Sequence, residues 1–404
     1  MSLPKLAYLT GEYPRASDTF IQREVAALRE LGHEVLTCSI RTTGPEHLVG
    51  PEQRAEHART FKVLDACRSP LRLLRAHALG MRRPGRYLRA LTLAWRSAPK
   101  GLKGRAFNLI YFAEAGVLAE ALENAGVQHL HNHIAKASCT VAMLASELSG
   151  IPFSFTIHGP DIFFEPQHWR IDEKTRRASF VACISAFCRA QLMCFAGRAD
   201  WDKLKIIHCG IEPTRYAPSR HEGQTLLFTG RLAGVKGVPV LLRALSALAP
   251  RHPELRLRLI GDGPERAVLE AMAAELGIAA RTEFLGYRSQ AEVAEALTEA
   301  DVFVLPSFAE GVPVVLMEAM AAQVPVVTTG IAGVPELVDH GGSGLLVPPG
   351  ETEALTEALD ALLADPDLRR SMGAAGRAKV EAHFTAKTEA AKLSALFCAT
   401  EPRA

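Results

Sequence analysis

The chain has 404 residues, which is enough for two or three domains with sizeable cores and excludes a small module held together by disulfides. Its 48% hydrophobic and 22% charged residues are typical of a globular protein and exclude a disordered or collagen-like chain. The formal net charge is only +2, and no apolar run approaches the roughly 20 residues that a membrane-spanning helix needs. Because the first residues lack the long apolar core of a secretory signal, we expect a cytoplasmic protein.

Short apolar or β-branched runs alternate with helical patterns over the first half of the chain, as in parallel βαβ units. The predicted strands are Leu6–Leu9, Glu34–Ile40, Gln128–His131, Phe153–Ile157 and Phe180–Ile184. A helix is predicted over Thr19–Leu31, closed by Gly32. This alternation predicts a first Rossmann-like domain over residues 1–215.

The segment from Arg68 to Arg105 is strongly basic, since it holds nine arginines, two lysines and no acidic residue. It therefore carries +11, which leaves −9 for the rest of the chain. Leucines at helical spacing, with Tyr87 and Trp95 between them, are typical of an interfacial amphipathic helix. The segment is predicted to attract a membrane face, a phosphorylated acceptor or nucleic acid, and the alternative is a solvated helical face. Nothing else in the sequence favours nucleic acid, so we expect no such partner.

The strand and helix alternation restarts after a loop around Pro213–Gly223. The strands predicted in this second series are Thr225–Thr229, Leu255–Ile260, Thr282–Leu285, Val302–Leu305 and Val324–Thr328. Beyond Gly344–Val347 the pattern becomes helical, over Glu351–Ala364, Pro366–Ala382 and Thr385–Ala399. We therefore predict an α/β fold of two Rossmann-like domains facing a cleft, the second over 216–384, with the helix in 385–404 packing back on the first.

A glycine-rich stretch from Thr229 to Gly237 follows a predicted strand and precedes a helix. Ligands of parallel sheets bind at the carboxyl ends of strands, where this stretch begins at Gly230. Arg231 offers a planar fork and Lys236 a compact point charge, a combination that suits a diphosphate. The alternative is a surface turn with two ordinary basic residues.

A second loop after a strand, Pro306–Met320, carries two carboxylates, Glu310 and Glu318. Pro313 fits the first turn of the following helix, because its missing N–H costs nothing there. Amides near Gly311 and Val312, together with the helix dipole, are expected to form an anion site. The carboxylates suit hydroxyl groups of a sugar and a ribose, and the alternative is a pair of solvated carboxylates at a helix start.

Two other patterns are interpreted as structural. Ile260–Arg266 is similar to a dinucleotide fingerprint, but Arg266 replaces its third glycine, so we predict a tight turn and no NAD site. The eight cysteines include no C-x-x-C pair, which argues against zinc and redox motifs. We expect them mostly as small buried side chains.

His129, His131 and His133 alternate around the end of a predicted strand, which places all three on one face. A metal site and a hydrogen-bonded strand terminus are both consistent with this pattern. The sequence places no carboxylate or cysteine nearby to complete a metal site, so we favour the hydrogen-bonded terminus.

Several of these blocks together resemble the retaining glycosyltransferases of family 4, which have the GT-B fold. The matching blocks are Gly230–Gly237, Glu310–Glu318, His158–Asp161 and the opening Ser17–Glu24. The opening resembles the S-E-T-F-I-x-x-E motif of bacterial exopolysaccharide enzymes, including those of the colanic acid and amylovoran type. The resemblance covers most of the chain and is weakest over residues 45–125.

The resemblance implies a role for each matching residue. Arg231 and Lys236 neutralise the nucleotide diphosphate as it departs, and Glu318 binds the ribose hydroxyls. Glu310 binds hydroxyls of the donor sugar, and His158 lies beside that sugar. Further implied contacts are Gly230, Leu285, Gly311, Val312 and Pro313 for the donor, and Asp18, Thr19 and Asp161 for the acceptor side. No metal or other cofactor is implied.

The reaction implied by the resemblance is transfer of a hexose, with retention, from a UDP-linked sugar to a glycan or lipid-linked acceptor of a cell-surface polysaccharide. The acceptor hydroxyl enters on the face from which the diphosphate leaves, so no side chain acts as a nucleophile. The basic segment is then expected to hold the enzyme at the inner membrane face. A non-catalytic GT-B partner subunit and a nucleotide-sugar epimerase are the alternatives; a glycan phosphorylase has no supporting motif.

Overall fold

The computed structural model describes residues 3–15, 18–48, 50–159, 161–221 and 223–400. The chain forms two compact units. The first unit contains the chain up to His208 together with the segment from Glu389 onward, and the second unit runs from Cys209 to Thr388. The observed boundaries therefore lie at 208/209 and 388/389, where the sequence suggested 215/216 and 384/385.

The first unit is built on a seven-stranded parallel sheet. Its strands are β1 (Leu6–Glu12), β2 (Val35–Arg41), β3 (Phe61–Lys62), β4 (His129–His133), β5 (Phe153–Ile157), β6 (Val181–Cys183) and β7 (Leu204–Ile206). The strand order is β3-β2-β1-β4-β5-β6-β7. The order reverses between β1 and β4, and ligands of such sheets bind beyond the carboxyl ends of strands at this kind of switch point.

Helices connect the strands of the first unit. They are α1 (Thr19–Glu30), α2 (Pro51–Arg59), α3 (Val63–Cys67), α4 (Pro70–Met81), α5 (Pro84–Arg96), α6 (Leu102–Asn124), α7 (Ala137–Ser149), α8 (Asp161–Phe164), α9 (Ile171–Arg177) and α10 (Ala186–Met193). Helix α7 is buried almost all round, because it packs against α6 as well as the sheet. In the part of the chain that the structure describes, none of the helices is both long enough and apolar enough to cross a membrane.

The second unit contains a six-stranded parallel sheet of order β10-β9-β8-β11-β12-β13. Its strands are β8 (Thr225–Thr229), β9 (Arg256–Ile260), β10 (Thr282–Gly286), β11 (Val302–Leu305), β12 (Val326–Thr329) and β13 (Gly344–Val347). Its helices are α11 (Val238–Leu248), α12 (Arg266–Glu275), α13 (Gln290–Thr298), α14 (Val314–Ala321), α15 (Val334–Leu337), α16 (Thr352–Ala364) and α17 (Pro366–His383). The chain order reverses between β8 and β11, which again predicts a ligand site beyond the carboxyl ends of those strands.

The last helix, α18 (Ala386–Cys398), belongs to the first unit from Glu389 onward. Phe397 is 2% exposed, and its ring centroid lies 4.9 Å from that of His129 and 5.5 Å from that of Phe180. Ser394 contributes a hydroxyl that lies 2.8 Å from Nε2 of His33. The residues that end the described chain therefore complete the core of its first unit.

The differences from the predicted elements have local causes. Strands β3 and β7 are two and three residues long, so neither shows a readable periodicity. Strand β4 extends to His133 and not only to His131, and its end has polar side-chain contacts in place of apolar ones: His131 with Thr156, and His133 with His158 and Glu24. Six of the eight cysteines are buried or half-buried, whereas Cys194 and Cys398 are exposed.

One carboxylate in the interior of the first unit is poorly compensated. Glu114 of α6 is 5% exposed, and its Oε2 has no hydrogen-bond partner among the described residues. Desolvation by burial raises the pKa of Glu114 to about 7, and the charge of Arg41 opposes this only in part. The ionised form is therefore disfavoured in the folded protein.

Replacing this residue, Glu114→Gln, is expected to stabilise the first unit at pH 8 by about 2–3 kcal/mol. Because the folded pKa is raised, the parent is most stable below the ordinary glutamate pKa and loses that stability as pH rises through 7. The uncharged glutamine does not titrate, so the variant keeps its free energy of unfolding as pH rises through 7. Chemical denaturation at pH 8 and near pH 4 measures the effect, and a gain of equal size at both pH values would show that titration is not its cause.

Candidate active site

The carboxyl edge of the second sheet is held together by backbone hydrogen bonds between successive loops. The amide of Gly230, after β8, donates to the carbonyl of Ile260 in β9 at 2.9 Å. The amide of Leu232 donates to the carbonyl of Asp262 at 3.0 Å, and that of Phe308 donates to Val235 at 2.7 Å. The loops after β8, β9 and β11 therefore form one connected surface, the donor edge.

Two glycines permit the loops of the donor edge to approach so closely. Gly237 has φ +65°, and a Cβ atom there would lie 2.0 Å from the carbonyl oxygen of Pro306. Gly261 has φ +131°, and a Cβ atom there would lie 1.9 Å from the carbonyl oxygen of Gly230. Only glycine combines this backbone conformation with this proximity. In the stretch that is similar to a dinucleotide fingerprint, the amide of Arg266 donates to the carbonyl of Gly263 at 3.2 Å, which forms the predicted turn.

Lys236 and Glu310 meet at the donor edge. The Nζ atom of Lys236 donates to Oε1 of Glu310 at 2.5 Å. Their side chains are 21% and 10% exposed, so the ion pair is largely withdrawn from water but still reachable. The pair brings together residues that are 74 positions apart in the sequence. A cation and a hydroxyl-binding carboxylate are thus held in contact at the end of the central strands.

Glu318 lies on α14 and is 7% exposed. The hydroxyl of Tyr216 donates to its Oε1 at 2.9 Å. Tyr216 is itself held in place, because Arg377 donates to its carbonyl oxygen at 3.0 Å. Sequence reasoning missed Tyr216, since it is 102 residues from Glu318 and lies outside the recognised blocks.

The remaining residues predicted for the donor lie around the same edge. Arg231 is exposed, Gly230, Gly311 and Leu285 are half-buried, and Val312 and Pro313 are buried. Pro313 is the N-cap of α14, which begins at Val314, so the prediction that it occupies the first helical turn was wrong by one position. Pro313 itself is extended, with ψ 121°, and the chain becomes helical only at Val314.

Two hydroxyl groups at the donor edge were not predicted. Both hydroxyl oxygens are buried. They are Oγ1 of Thr229, the last residue of β8, and Oγ of Ser307, two residues after β11. Neither has a hydrogen-bond partner within the described ranges. Buried hydroxyls are normally hydrogen-bonded, so this edge retains unused capacity for a polar ligand.

The first unit contains a chain of polar side chains at the carboxyl end of its central strands. Oε1 of Glu24 accepts a hydrogen bond from the hydroxyl of Tyr8 at 2.7 Å. Nε2 of His133 lies 3.0 Å from the same oxygen, and Nδ1 of His133 lies 2.9 Å from Nε2 of His158. The ring of Phe20 packs at 4.8 Å from the ring of His158. We call Tyr8, Glu24, His133 and His158 the histidine relay.

The structure corrects the prediction that no carboxylate lies near the histidines of β4. Glu24, from α1, contacts His133, and ligand atoms of Glu24, His131 and His133 lie within 4.8 Å of one another. Such a group could hold a metal ion. However, both ring nitrogens of His131 lie 2.8 Å from hydroxyl groups, those of Ser154 and Thr156. The arrangement therefore fits the predicted hydrogen-bonded strand terminus better than a metal site.

Burial fixes the charge state of two of these histidines. Desolvation, and next the charge of His133, hold the pKa of His158 well below its ordinary value. Desolvation, followed by the neighbouring histidines, does the same to the pKa of His131. Both rings are therefore neutral at physiological pH, which suits hydrogen bonding to a hydroxyl group.

The residues predicted for the acceptor side lie near the helix starts of the first unit. Asp18 is the N-cap of α1, and its carbonyl accepts a hydrogen bond from Ile21 at 3.1 Å. Thr19 is the first residue of α1, and Asp161 is the first residue of α8. The side chain of Asp161 and the motif residues Ser17 and Pro160 lie outside the described residues.

Two protein-family models match the chain in succession. The model described as Glycosyltransferase Family 4 matches residues 18–215, and the model described as Glycosyl transferases group 1 matches residues 215–379. The residues predicted for the acceptor side lie inside the first match, and the residues predicted for the donor lie inside the second, except His158, which lies in the first.

Individual proteins are similar over the same length. The putative colanic acid biosynthesis glycosyltransferase WcaL of Salmonella typhimurium is 28% identical over 97% of this chain and 99% of its own. The amylovoran biosynthesis glycosyltransferase AmsK of Erwinia amylovora is 26% identical over 94% and 96%. The structure of Anabaena Alr3699/HepE in complex with UDP is 18% identical and has a TM-score of 0.74, covering 98% of this chain and all of that one. The last similarity supports the fold.

Proposed function

This chain belongs to the glycosyltransferases described by the family 4 and group 1 models, and from that premise we propose its reaction. It transfers a hexose from a nucleoside-diphosphate sugar, with UDP as the nucleotide, to a glycan or lipid-linked acceptor in exopolysaccharide assembly. Its full-length similarity to the colanic acid and amylovoran enzymes supports the pathway class. The presence of UDP in the similarly folded Anabaena protein supports the nucleotide.

The single observation that carries the proposal is the Lys236–Glu310 ion pair at the donor edge. A departing diphosphate develops negative charge, and a preformed, partly desolvated lysine stabilises that charge without reorganisation. Glu310 keeps the ammonium group in place and offers its second oxygen to a sugar hydroxyl. The unpartnered hydroxyls of Thr229 and Ser307 are further groups that a polar donor could satisfy.

We propose that the reaction proceeds with retention and without a metal ion. Arg231 and Lys236 supply the positive charge that a divalent ion would otherwise bring to a diphosphate. In this mechanism the acceptor hydroxyl enters as the diphosphate leaves, and a phosphate oxygen takes its proton. Positioning and electrostatic stabilisation then provide the catalysis. The remaining roles are those that the resemblance implies. His158 is proposed to lie beside the donor sugar, and Asp18, Thr19 and Asp161 are proposed to contact the acceptor.

Calorimetric titration with UDP, GDP, ADP and NAD in the presence of EDTA tests the donor assignment. We expect one nucleoside diphosphate, UDP, to bind without metal and NAD not to bind. Failure of all four to bind would overturn the assignments of Arg231, Lys236 and Glu318 and favour a non-catalytic partner subunit. Product NMR with the matching sugar nucleotide then determines the anomeric configuration, and an inverted product would contradict the mechanism.

A lipid-linked acceptor would place the enzyme at a membrane, where the basic segment is the candidate contact surface. The structure distinguishes cations of this segment that form ion pairs from exposed cations that do not. The paired arginines face carboxylates of α6 and α7: Arg72 and Arg75 face Glu120, Arg83 faces Glu123 and Arg89 faces Glu147. The exposed cations of the segment without an ion pair among the described residues are Arg82, Arg96, Lys100, Lys103 and Arg105. We propose that this second group, with the exposed apolar side chains of the same stretch, contacts an anionic membrane.

The apolar side chains in question are large and strongly exposed. Trp95 is 48% exposed, Leu102 84% and Phe107 45%. Arg105 lies over the Trp95 ring at 4.6 Å, which joins the end of α5 to the start of α6. Aromatic and aliphatic side chains beside lysine and arginine are the composition of a surface that lies in the membrane interface.

The double variant Lys100→Ser with Lys103→Ser is expected to weaken binding to phosphatidylglycerol vesicles by about thirtyfold, at about 1 kcal/mol for each charge. The matched control, Arg198→Ser with Lys205→Ser, removes two exposed charges from the same unit elsewhere and should leave binding unchanged. Vesicle sedimentation at two salt concentrations measures both. Equal losses in the two variants would assign the effect to net charge alone, and unchanged binding would make the segment a solvated surface.

A further inference from the structure

A cavity in the first unit has no part in the reaction proposed above. Its volume is about 70 Å³, which is enough for about five water molecules. The residues that line it include Phe107, Asn108 and Tyr111 of α6, Trp169, and Lys174 of α9. We call it the Lys174 cavity. Aromatic walls with a few polar groups are the usual composition of a small-molecule site.

Lys174 is a buried cation without a counter-ion. Its side chain is 0% exposed, and it forms no ion pair with any residue in the described ranges. Its Nζ atom donates to the carbonyl oxygens of Ala135 and Lys136 at 2.8 and 2.9 Å. Desolvation by burial lowers the pKa of Lys174 to about 8, so the amine is still largely protonated at pH 7. Because an unpaired buried charge is costly, an anion bound beside it is favoured.

The ammonium group of Lys174 also has an N–H that the protein does not use. A protonated lysine has three N–H donors, and the two backbone carbonyls accept from two of them. The ring centroid of Trp169 lies 5.7 Å from Nζ. The nearby carboxylate of Asp172 is engaged elsewhere, because Arg170 donates two hydrogen bonds of 2.9 Å to it. A ligand oxygen with negative charge would satisfy both the free N–H and the charge.

The backbone beside the Lys174 cavity is strained on two sides. Arg170, which lines the cavity, has φ +48°, and Ile134, which directly precedes Ala135, has φ +69°. Neither residue is glycine, so both conformations cost free energy. Lys174 holds the loop after Ile134 through its hydrogen bond to Ala135, and Asp172 holds Arg170. Strain of this kind clusters where a protein positions a ligand.

The walls of the Lys174 cavity indicate the class of ligand. The aromatic rings of Phe107, Tyr111 and Trp169 suit the C–H face of a sugar ring. The amide nitrogen of Asn108 already donates to two protein oxygens at 2.9 and 3.3 Å, which leaves its Oδ1 atom to accept from a hydroxyl group. One ammonium group balances one negative charge, so a carboxylate matches the site better than a diphosphate.

We propose that the Lys174 cavity binds an acidic sugar unit of the acceptor, with the sugar carboxylate on Nζ of Lys174 and the sugar ring against Trp169. This inference rests on the proposed function for the acceptor, and on the cavity alone for the acidic sugar. Trp169 lies in the same connection after β5 as Asp161, which was predicted for the acceptor side. Phe107 belongs both to the cavity wall and to the exposed apolar surface proposed for the membrane. A lipid-linked glycan therefore reaches the cavity from the membrane surface.

Ligand-observed NMR titration of the full-length protein at pH 6.5 tests this assignment with three compounds. Methyl glucuronide is expected to bind at least about tenfold more tightly than methyl glucoside, the effect of one charge-assisted hydrogen bond. Sodium acetate has the carboxylate without the ring and is also expected to bind at least about tenfold more weakly than the glucuronide. Equal affinities for the two glycosides, or for the glucuronide and acetate, would overturn the proposal.

Two variants place the binding in the cavity. Lys174→Gln removes the charge but keeps an amide donor for the backbone carbonyls, so the preference for the glucuronide should disappear. Trp169→Ala changes a half-buried wall residue and should weaken both glycosides by about tenfold while the preference remains. This second variant tests the site even if the first does not fold. Unchanged glucuronide binding in Trp169→Ala would overturn the proposal.

The matched controls are Lys205→Gln and Trp201→Ala, which make similar changes at exposed positions of the first unit outside the cavity. Both should bind the glycosides as the parent does. Equal losses in the controls and in the cavity variants would assign the effects to general changes in the protein and overturn the proposal.

Calorimetric titration with UDP separates this proposal from the proposed function. Lys174→Gln should bind UDP as the parent does, because the donor edge lies in the second unit. A parent that binds methyl glucuronide but no nucleoside diphosphate would overturn the proposed function and leave the acidic-sugar site valid. A parent that binds UDP but neither glycoside would overturn the acidic-sugar site alone.

Discussion

Replacing Lys236 with alanine is expected to lower kcat/KM by about 10²–10³-fold, the usual effect of removing one preorganised group that stabilises developing negative charge. The loss should appear in kcat at saturating donor, because the charge on the leaving diphosphate is largest in the transition state. Steady-state kinetics with the sugar nucleotide that calorimetry identifies measures the change. Near-normal turnover would show that Lys236 does not contact the diphosphate.

Removal of the lysine also leaves Glu310 without its ion-pair partner, so folding must be controlled separately. The double variant Lys236→Met with Glu310→Gln removes both charges and should restore thermal stability while activity stays low. Arg243→Ala serves as the matched control, because Arg243 is an exposed cation of α11 in the same unit. It should retain parental activity.

Replacing Gly237 with alanine is expected to destabilise the second unit by about 3–5 kcal/mol, through backbone strain and a direct clash. The added Cβ would lie 2.0 Å from the carbonyl oxygen of Pro306. The loop that carries Lys236 would then have to move away from the loop that carries Glu310. Chemical denaturation measures the loss, and nucleotide binding should weaken with it.

Gly277 provides the control for this substitution. Its φ is +70°, close to the +65° of Gly237, but a Cβ atom there would meet nothing within 4 Å. Gly277→Ala therefore reports the strain of the left-handed backbone alone, about 1–2 kcal/mol. Equal losses in the two variants would show that the loops of the donor edge are not held in contact at Gly237.

The fold and much of the donor edge were predictable because their signals are local. Four of the five predicted strands of the second series are followed directly by glycine or proline. Parallel sheets place all such loops at one edge. Lys236 and Glu310 were therefore predicted to lie at the same edge although 74 residues separate them. The family matches confirm the glycosyltransferase resemblance. The two parallel sheets and the similarly folded Anabaena protein confirm the predicted α/β fold. The roles of the individual residues stay predictions.

The contacts that the sequence did not reveal are those between distant segments with no shared pattern. Tyr216 reaches Glu318 across 102 residues, and Glu24 reaches His133 across 109. Glu24 was visible in the opening motif, but its partner depends on how α1 packs beside β4. Only tertiary packing brings Glu24 to the end of β4. The sequence analysis considered only carboxylates close in sequence to the histidines, so it missed Glu24.

The position of α18 has a consequence for the order in which the protein is made. Residues 389–400 leave the ribosome after the whole second unit, yet Phe397 fills the core of the first. The nascent first unit therefore keeps an open apolar site beside His129 and Phe180 until the whole second unit and residues 389–400 have been synthesised. Chains usually fold domain by domain from the N-terminus. Here the first unit is completed only after the second unit.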